Sequence, residues 1–120
     1  MTIDQLPAGA TLADLQRFIH DLEAFHGWLD VDLVRNVFLM VEEVGELAKA
    51  LRKHEKIFPE GTTDGPAVPA EAVQAAARAH VGEEIVDVLN YLLAIANRLD
   101  IDLEAAFRHK NALNLERRWQ

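Results

Sequence analysis

The residues best equipped for chemistry are carboxylates, and they come in two matched sets. "VEEVGELAKAL", residues 41–51, carries Glu42, Glu43 and Glu46 inside an apolar run. "GEEIVDVLNYL", residues 82–92, carries Glu83, Glu84 and Asp87 in the same way. Projected at 3.6 residues per turn, Leu39, Glu43, Glu46 and Ala50 form one seam. His80, Glu84, Asp87, Tyr91 and Ala94 form another. Each seam presents an acidic pair one turn apart, bordering an apolar face. One ExxE on a helix is ordinary, because Glu favours helices and is usually solvated. Two such pairs on the two most apolar segments predict that four carboxylates converge if those segments pack together. Four anions at close range in a partly dry site repel, so they must take up protons or hold a cation. Ligation by carboxylate oxygen alone suits a hard ion, Mg²⁺ or Mn²⁺, and not zinc.

Other chemistries find little support. The chain has no cysteine, which removes disulfides, thiolate metal sites and cysteine nucleophiles. Its five histidines, at 20, 26, 54, 80 and 109, form no HExxH or other zinc spacing. His80 lies on the acid seam, within reach of the site, although a local helix contact is the expected role. Twenty acidic residues against twelve Lys and Arg give a formal charge of −8. That disfavours non-specific binding to nucleic acid or an anionic membrane, which needs a positive footprint. An anionic small molecule remains compatible where cations intervene.

The elements that must position these acids read as helices. At 120 residues and 50% hydrophobic, the chain is expected to form one compact domain, with residues 1–10 a flexible N-terminus. Thr11 is a plausible N-cap with Asp14 three residues on, opening a helix with Leu12, Leu15, Ile19, Leu22 and Phe25 that Gly27 ends. A second helix is predicted from about Asp32 to Lys53, with Val34, Val37, Val41, Val44, Ala48 and Leu51 on its apolar face. Three prolines and two glycines in "FPEGTTDGPAVP" mark one long loop, taken as 56–69. The third helix, from Ala70 to near Leu99, carries Val81, Ile85, Val88, Leu92, Ile95 and Leu99 as one seam. Val86, Leu89, Leu93 and Ala96 widen it to the arc of a central, mostly buried helix. Asp102 is expected to cap a fourth helix running to about Arg118. Asn90 and Asn97 read as facing solvent. With few β-branched alternations, the fold class is all-α, a four-helix bundle. No apolar segment is long enough to cross a bilayer and the N-terminus lacks a secretory pattern, so a cytoplasmic address is expected.

"EEVGE", 42–46, and "EEIVD", 83–87, resemble the ExxE and ExxD motifs of the MazG-like all-α nucleoside triphosphate pyrophosphohydrolases. "KNALNLERRW", 110–119, is similar to that family's K-x-x-x-N-x-x-R ending, and the likeness covers most of the chain from about Asp14. The resemblance implies a Mg²⁺-dependent enzyme that splits an NTP or dNTP into the monophosphate and pyrophosphate, serving to clean the nucleotide pool. By matching position it implies metal ligation by Glu43, Glu46, Glu84 and Asp87. Lys110, Asn114 and Arg117 would contact phosphates or sugar. Tyr91 and Trp28 hold places suited to base or ribose contacts, although packing serves Trp28 equally well. Glu42 and Glu83, beside the ligands, would either orient the attacking water or stay solvated. The resemblance also implies a homodimer or dimer-based tetramer. Two alternatives share the acid motifs: phosphoribosyl-ATP pyrophosphohydrolase, and a non-catalytic metal-binding helical interaction module.

Overall fold

The computed structural model describes residues 1–55 and 70–117, so the expected 56–69 loop and the last three residues lie outside the described part. The described residues are all-helical, without a strand. A 3₁₀ turn at Ile3–Gln5 precedes α1 (Leu12–His26), α2 (Leu33–Glu55), α3 (Ala70–Arg98) and α4 (Leu103–Glu116). Local chemistry sets the boundaries. The Asp14 N–H donates to Thr11 Oγ1 at 3.1 Å and the Thr11 N–H donates to Asp14 Oδ2 at 2.9 Å, a reciprocal cap. Gly27 closes α1 at φ 74°, a left-handed conformation that costs a residue without a Cβ least. Asp32 Oδ1 accepts the N–H groups of Val34 and Arg35 at 2.8 and 3.3 Å, and Asp102 Oδ1 does the same for Glu104 and Ala105.

The chain divides into two compact units, Met1–Asn36 with Leu92–Gln120, and Val37–Tyr91. In the first, α1 packs on α4, and Ile19, Leu93, Ala94 and Ala96 are buried. Gln16 and Asn97 lock this unit together. Gln16 Nε2 donates to Asn97 Oδ1 and to the Ile101 carbonyl, Asn97 Nδ2 donates to the Gln16 carbonyl, and Gln16 Oε1 accepts the Leu103 N–H. Asn97 therefore does not face solvent as its sequence context suggests; it is half-buried and spent on a partner 81 residues away. Arg98 makes a second lock, with its guanidinium on the carbonyls of Val31 and Trp28 at 2.6 and 2.7 Å and on buried Glu23 at 3.5 Å.

In the second unit α2 turns Leu39, Glu43 and Ala50 of the acid seam inward, while Glu46 stays exposed. Ala50 is buried at 2% exposure and Leu39 and Glu43 are half-buried, whereas Val41 is 58% exposed, and Val37, Val44 and Leu51 are exposed too. Near its end, the Gln74 amide meets His54 Nε2 at 3.0 Å. The broad arc of α3 also differs from the mostly buried helix that periodicity predicts. Leu93, Ala94 and Ala96 are buried, but Ile85, Val86, Leu92 and Leu99 are exposed. Periodicity reports which residues share a face; it does not report how many faces the chain's own elements cover. Here one apolar side of each long helix is left uncovered. No helix among the described residues is long and apolar enough to cross a membrane.

Candidate metal centre

Glu43 on α2 meets Glu84 and Asp87 on α3, and one carboxylate oxygen from each lies within 4.8 Å of the other two. Among the described residues this is the one group of three or more such side chains with that geometry. Helix spacing explains it: Glu84 and Asp87 stand one turn apart on the same stripe of α3, and Glu43 lies on the inward stripe of α2. Glu43 and Glu84 are half-buried and Asp87 is exposed at the rim. Glu84 Oε1 accepts from His80 Nε2 at 3.0 Å, while Glu84 Oε2 is buried with no hydrogen-bond partner among the described residues.

The electrostatics follow from this crowding. The Glu43 carboxyl is held above its ordinary value of 4.5, first by burial, then by the charges of Asp87 and Glu84, a hydrogen bond shared with Glu84, and the charge of Glu46. Burial also raises the Tyr91 phenol, followed by the charges of Glu43, Glu42 and Asp87, so this ring borders the cluster. A buried acceptor without a donor, beside a carboxyl pushed toward its protonated form, is an arrangement that a bound cation relieves. The donor set is oxygen only, so the residues present fit a hard divalent ion.

Glu46 is exposed and outside the set of three, though its charge reaches Glu43. Glu42 and Glu83 are exposed. Lys110 is exposed on α4, and Asn114 is half-buried, donating to Asn111 Oδ1 at 3.3 Å. Arg117 is the C-cap of α4, the last residue whose position that helix sets. Trp28 is 50% exposed and stacks on the His26 ring at 4.3 Å between centroids and 17° between planes. Phe25 meets His26 edge-on. Trp28, Lys110, Asn114 and Arg117 belong to the first unit and the acid cluster to the second. Sequence reasoning did not single out the Arg98–Glu23 lock or the buried Asn36, whose Nδ2 has no hydrogen-bond partner among the described residues. Partners 75 residues apart carry no local spacing signal.

The chain is 36% identical over 108 residues to dCTP pyrophosphatase 1 of Rattus norvegicus, an alignment covering 89% of this chain and 58% of that relative. It is 35% identical over 108 residues to dCTP pyrophosphatase 1 of Homo sapiens, with the same coverage, and 34% identical to that of Bos taurus, with 59% of the relative covered. The chain thus spans somewhat more than half the length of the curated relatives it matches. No family model matches it, and no solved structure matches it significantly.

Proposed function

We propose that this chain is a single MazG-like domain that hydrolyses a nucleoside triphosphate to the monophosphate and pyrophosphate with the aid of Mg²⁺, dCTP being the first candidate substrate. The observation that carries the reading is the meeting of Glu43, Glu84 and Asp87, drawn from an ExxE motif on α2 and an ExxD motif on α3. The name shared by its relatives, dCTP pyrophosphatase 1, supports the triphosphate reading over phosphoribosyl-ATP.

In this proposal Glu43, Glu84 and Asp87, with Glu46 at the side, hold the cation; Mn²⁺ fits the same oxygens. When bound, the ion offsets the negative charge of acids and triphosphate and polarises a phosphoryl oxygen. Without it the acids would repel the substrate they are meant to act on. Glu42 and Glu83, next to the ligands in the chain, orient a water toward the α-phosphorus. The new bond joins that water's oxygen to the α-phosphorus, the α–β bridging bond breaks, and pyrophosphate leaves with the bridging oxygen. Lys110, Asn114 and Arg117 bind phosphate or sugar oxygens through charge-assisted and neutral hydrogen bonds. Trp28 and Tyr91 hold base or ribose, and the His26 ring stacked on Trp28 supports that role by limiting the indole's freedom.

The proposed assembly is a homodimer or dimer-based tetramer in the cytoplasm. Val41, Val44 and Leu51 on α2 and Ile85, Val86 and Leu92 on α3 support it, because runs of exposed apolar side chains mark contact surfaces. The test is a panel of canonical and modified nucleotides, with phosphoribosyl-ATP included, in Mg²⁺ and in EDTA, resolving pyrophosphate from orthophosphate. Mg²⁺-dependent release of pyrophosphate from dCTP is expected. Diphosphate with orthophosphate as the primary products would refute the reaction. Metal binding with no turnover of any nucleotide would favour the non-catalytic module.

A further inference from the structure

We infer that His80 is a positioning residue of the metal centre, holding Glu84 so that one carboxylate oxygen stays free and turned to the cation. The inference rests on the metal reading proposed above. His80 and Glu84 lie one turn apart on α3, with Nε2 to Oε1 at 3.0 Å. A carboxylate oxygen can only accept, so Nε2 carries the proton of this hydrogen bond. The two side chains differ in exposure, 48% for His80 and 13% for Glu84, so the imidazole grips the carboxylate from the solvent side. The other oxygen, Oε2, is the one left buried and unpartnered.

The geometry divides the carboxylate between two tasks. One oxygen is tied to the imidazole one turn away on the same helix, and the second has no hydrogen-bond partner among the described residues. Glu has three rotatable bonds, and a ligand carboxylate left free must be ordered when the ion arrives. Fixing it in advance moves that cost out of the binding step. An exposed His–Glu pair at this spacing can also be a mere helix contact, and such contacts contribute little. The two roles separate on metal affinity: a helix contact leaves it unchanged.

The experiment titrates MgCl₂, and separately MnCl₂, into the metal-free full chain by calorimetry at one fixed pH. Wild type is compared with His80→Ala and His80→Gln, helix content being checked by circular dichroism. The expected result is a loss of about tenfold in affinity for the Ala variant, the lower end for an outer partner of a metal ligand. The Gln variant, whose amide N–H can reach the same oxygen, recovers most of that loss. In turnover assays the Ala variant is slower at limiting Mg²⁺, regains wild-type kcat at saturating Mg²⁺, and keeps its KM for nucleotide. Mg²⁺ binding as tight in the Ala variant as in wild type would overturn the inference while leaving the metal centre standing. A Gln variant no better than Ala would overturn it as well, because the hydrogen bond would not be the cause. A wild-type chain that binds neither ion would overturn the metal reading itself, and the positioning role with it.

Discussion

At Glu43 the fold keeps a half-buried carboxyl where its charge is unwelcome, among Asp87, Glu84 and Glu46. The consequence for stability has a definite sign. Below 4.5 Glu43 is protonated in folded and unfolded chains alike, and it contributes nothing to the balance. As pH rises above 4.5 the unfolded chain releases this proton first, so the metal-free fold loses stability until the raised folded value is passed. Glu43→Gln removes the titration. In EDTA, the variant should match wild type near pH 4 and exceed it increasingly toward neutrality, measured by urea unfolding across pH. A difference that stays flat with pH would contradict the crowding at this residue. The i, i+3 spacing made this pair of motifs legible in the sequence, because a helix turns a spacing into a direction. It did not separate Glu46 from the other three, since a stripe on a helix does not say how far along it the facing helix comes close.

At the scale of elements, the helix ends were legible because capping is local. Thr11, Gly27, Asp32 and Asp102 each act on backbone groups within five residues. The lock between Arg98 and the turn after α1 was not, because it joins α3 to positions 67 to 75 residues earlier. Arg98→Ala would remove the guanidinium donor from the Val31 carbonyl, leave the Trp28 carbonyl with the Val31 N–H alone, and leave Glu23, only 8% exposed, without its cation. Leaving a buried carboxylate without its cation costs about 3 kcal/mol. Chemical denaturation should show a loss of that size, and Trp28 fluorescence should shift, because the same guanidinium holds the Trp28 carbonyl. A variant as stable as wild type would show that the lock is not a structural support.

At the scale of the whole molecule, the unmet requirement is cover for apolar surface. The valine seam of α2 and the Ile85–Leu92 side of α3 were legible as apolar stripes, but not as exposed ones, since a sequence does not say which apolar sides of a helix its own chain covers. Sedimentation should give a species larger than one chain, and Val41→Lys should shift it toward monomer. A wild-type chain that sediments as a monomer at micromolar concentration would count against assembly. The claim on which everything else turns is that the acids form a metal site and are not surface acids. Asp87→Asn tests it with least change of shape, since asparagine keeps the outline and removes one charge. Ligand-linked stabilisation follows RT ln(1 + [L]/Kd), so a weakened site reads out as a smaller shift in Tm. Melting wild type and variant in EDTA and in Mg²⁺ should show the variant more stable than wild type in EDTA and raised less by Mg²⁺. Equal Tm in EDTA together with an Mg²⁺ shift as large in the variant as in wild type would contradict the account.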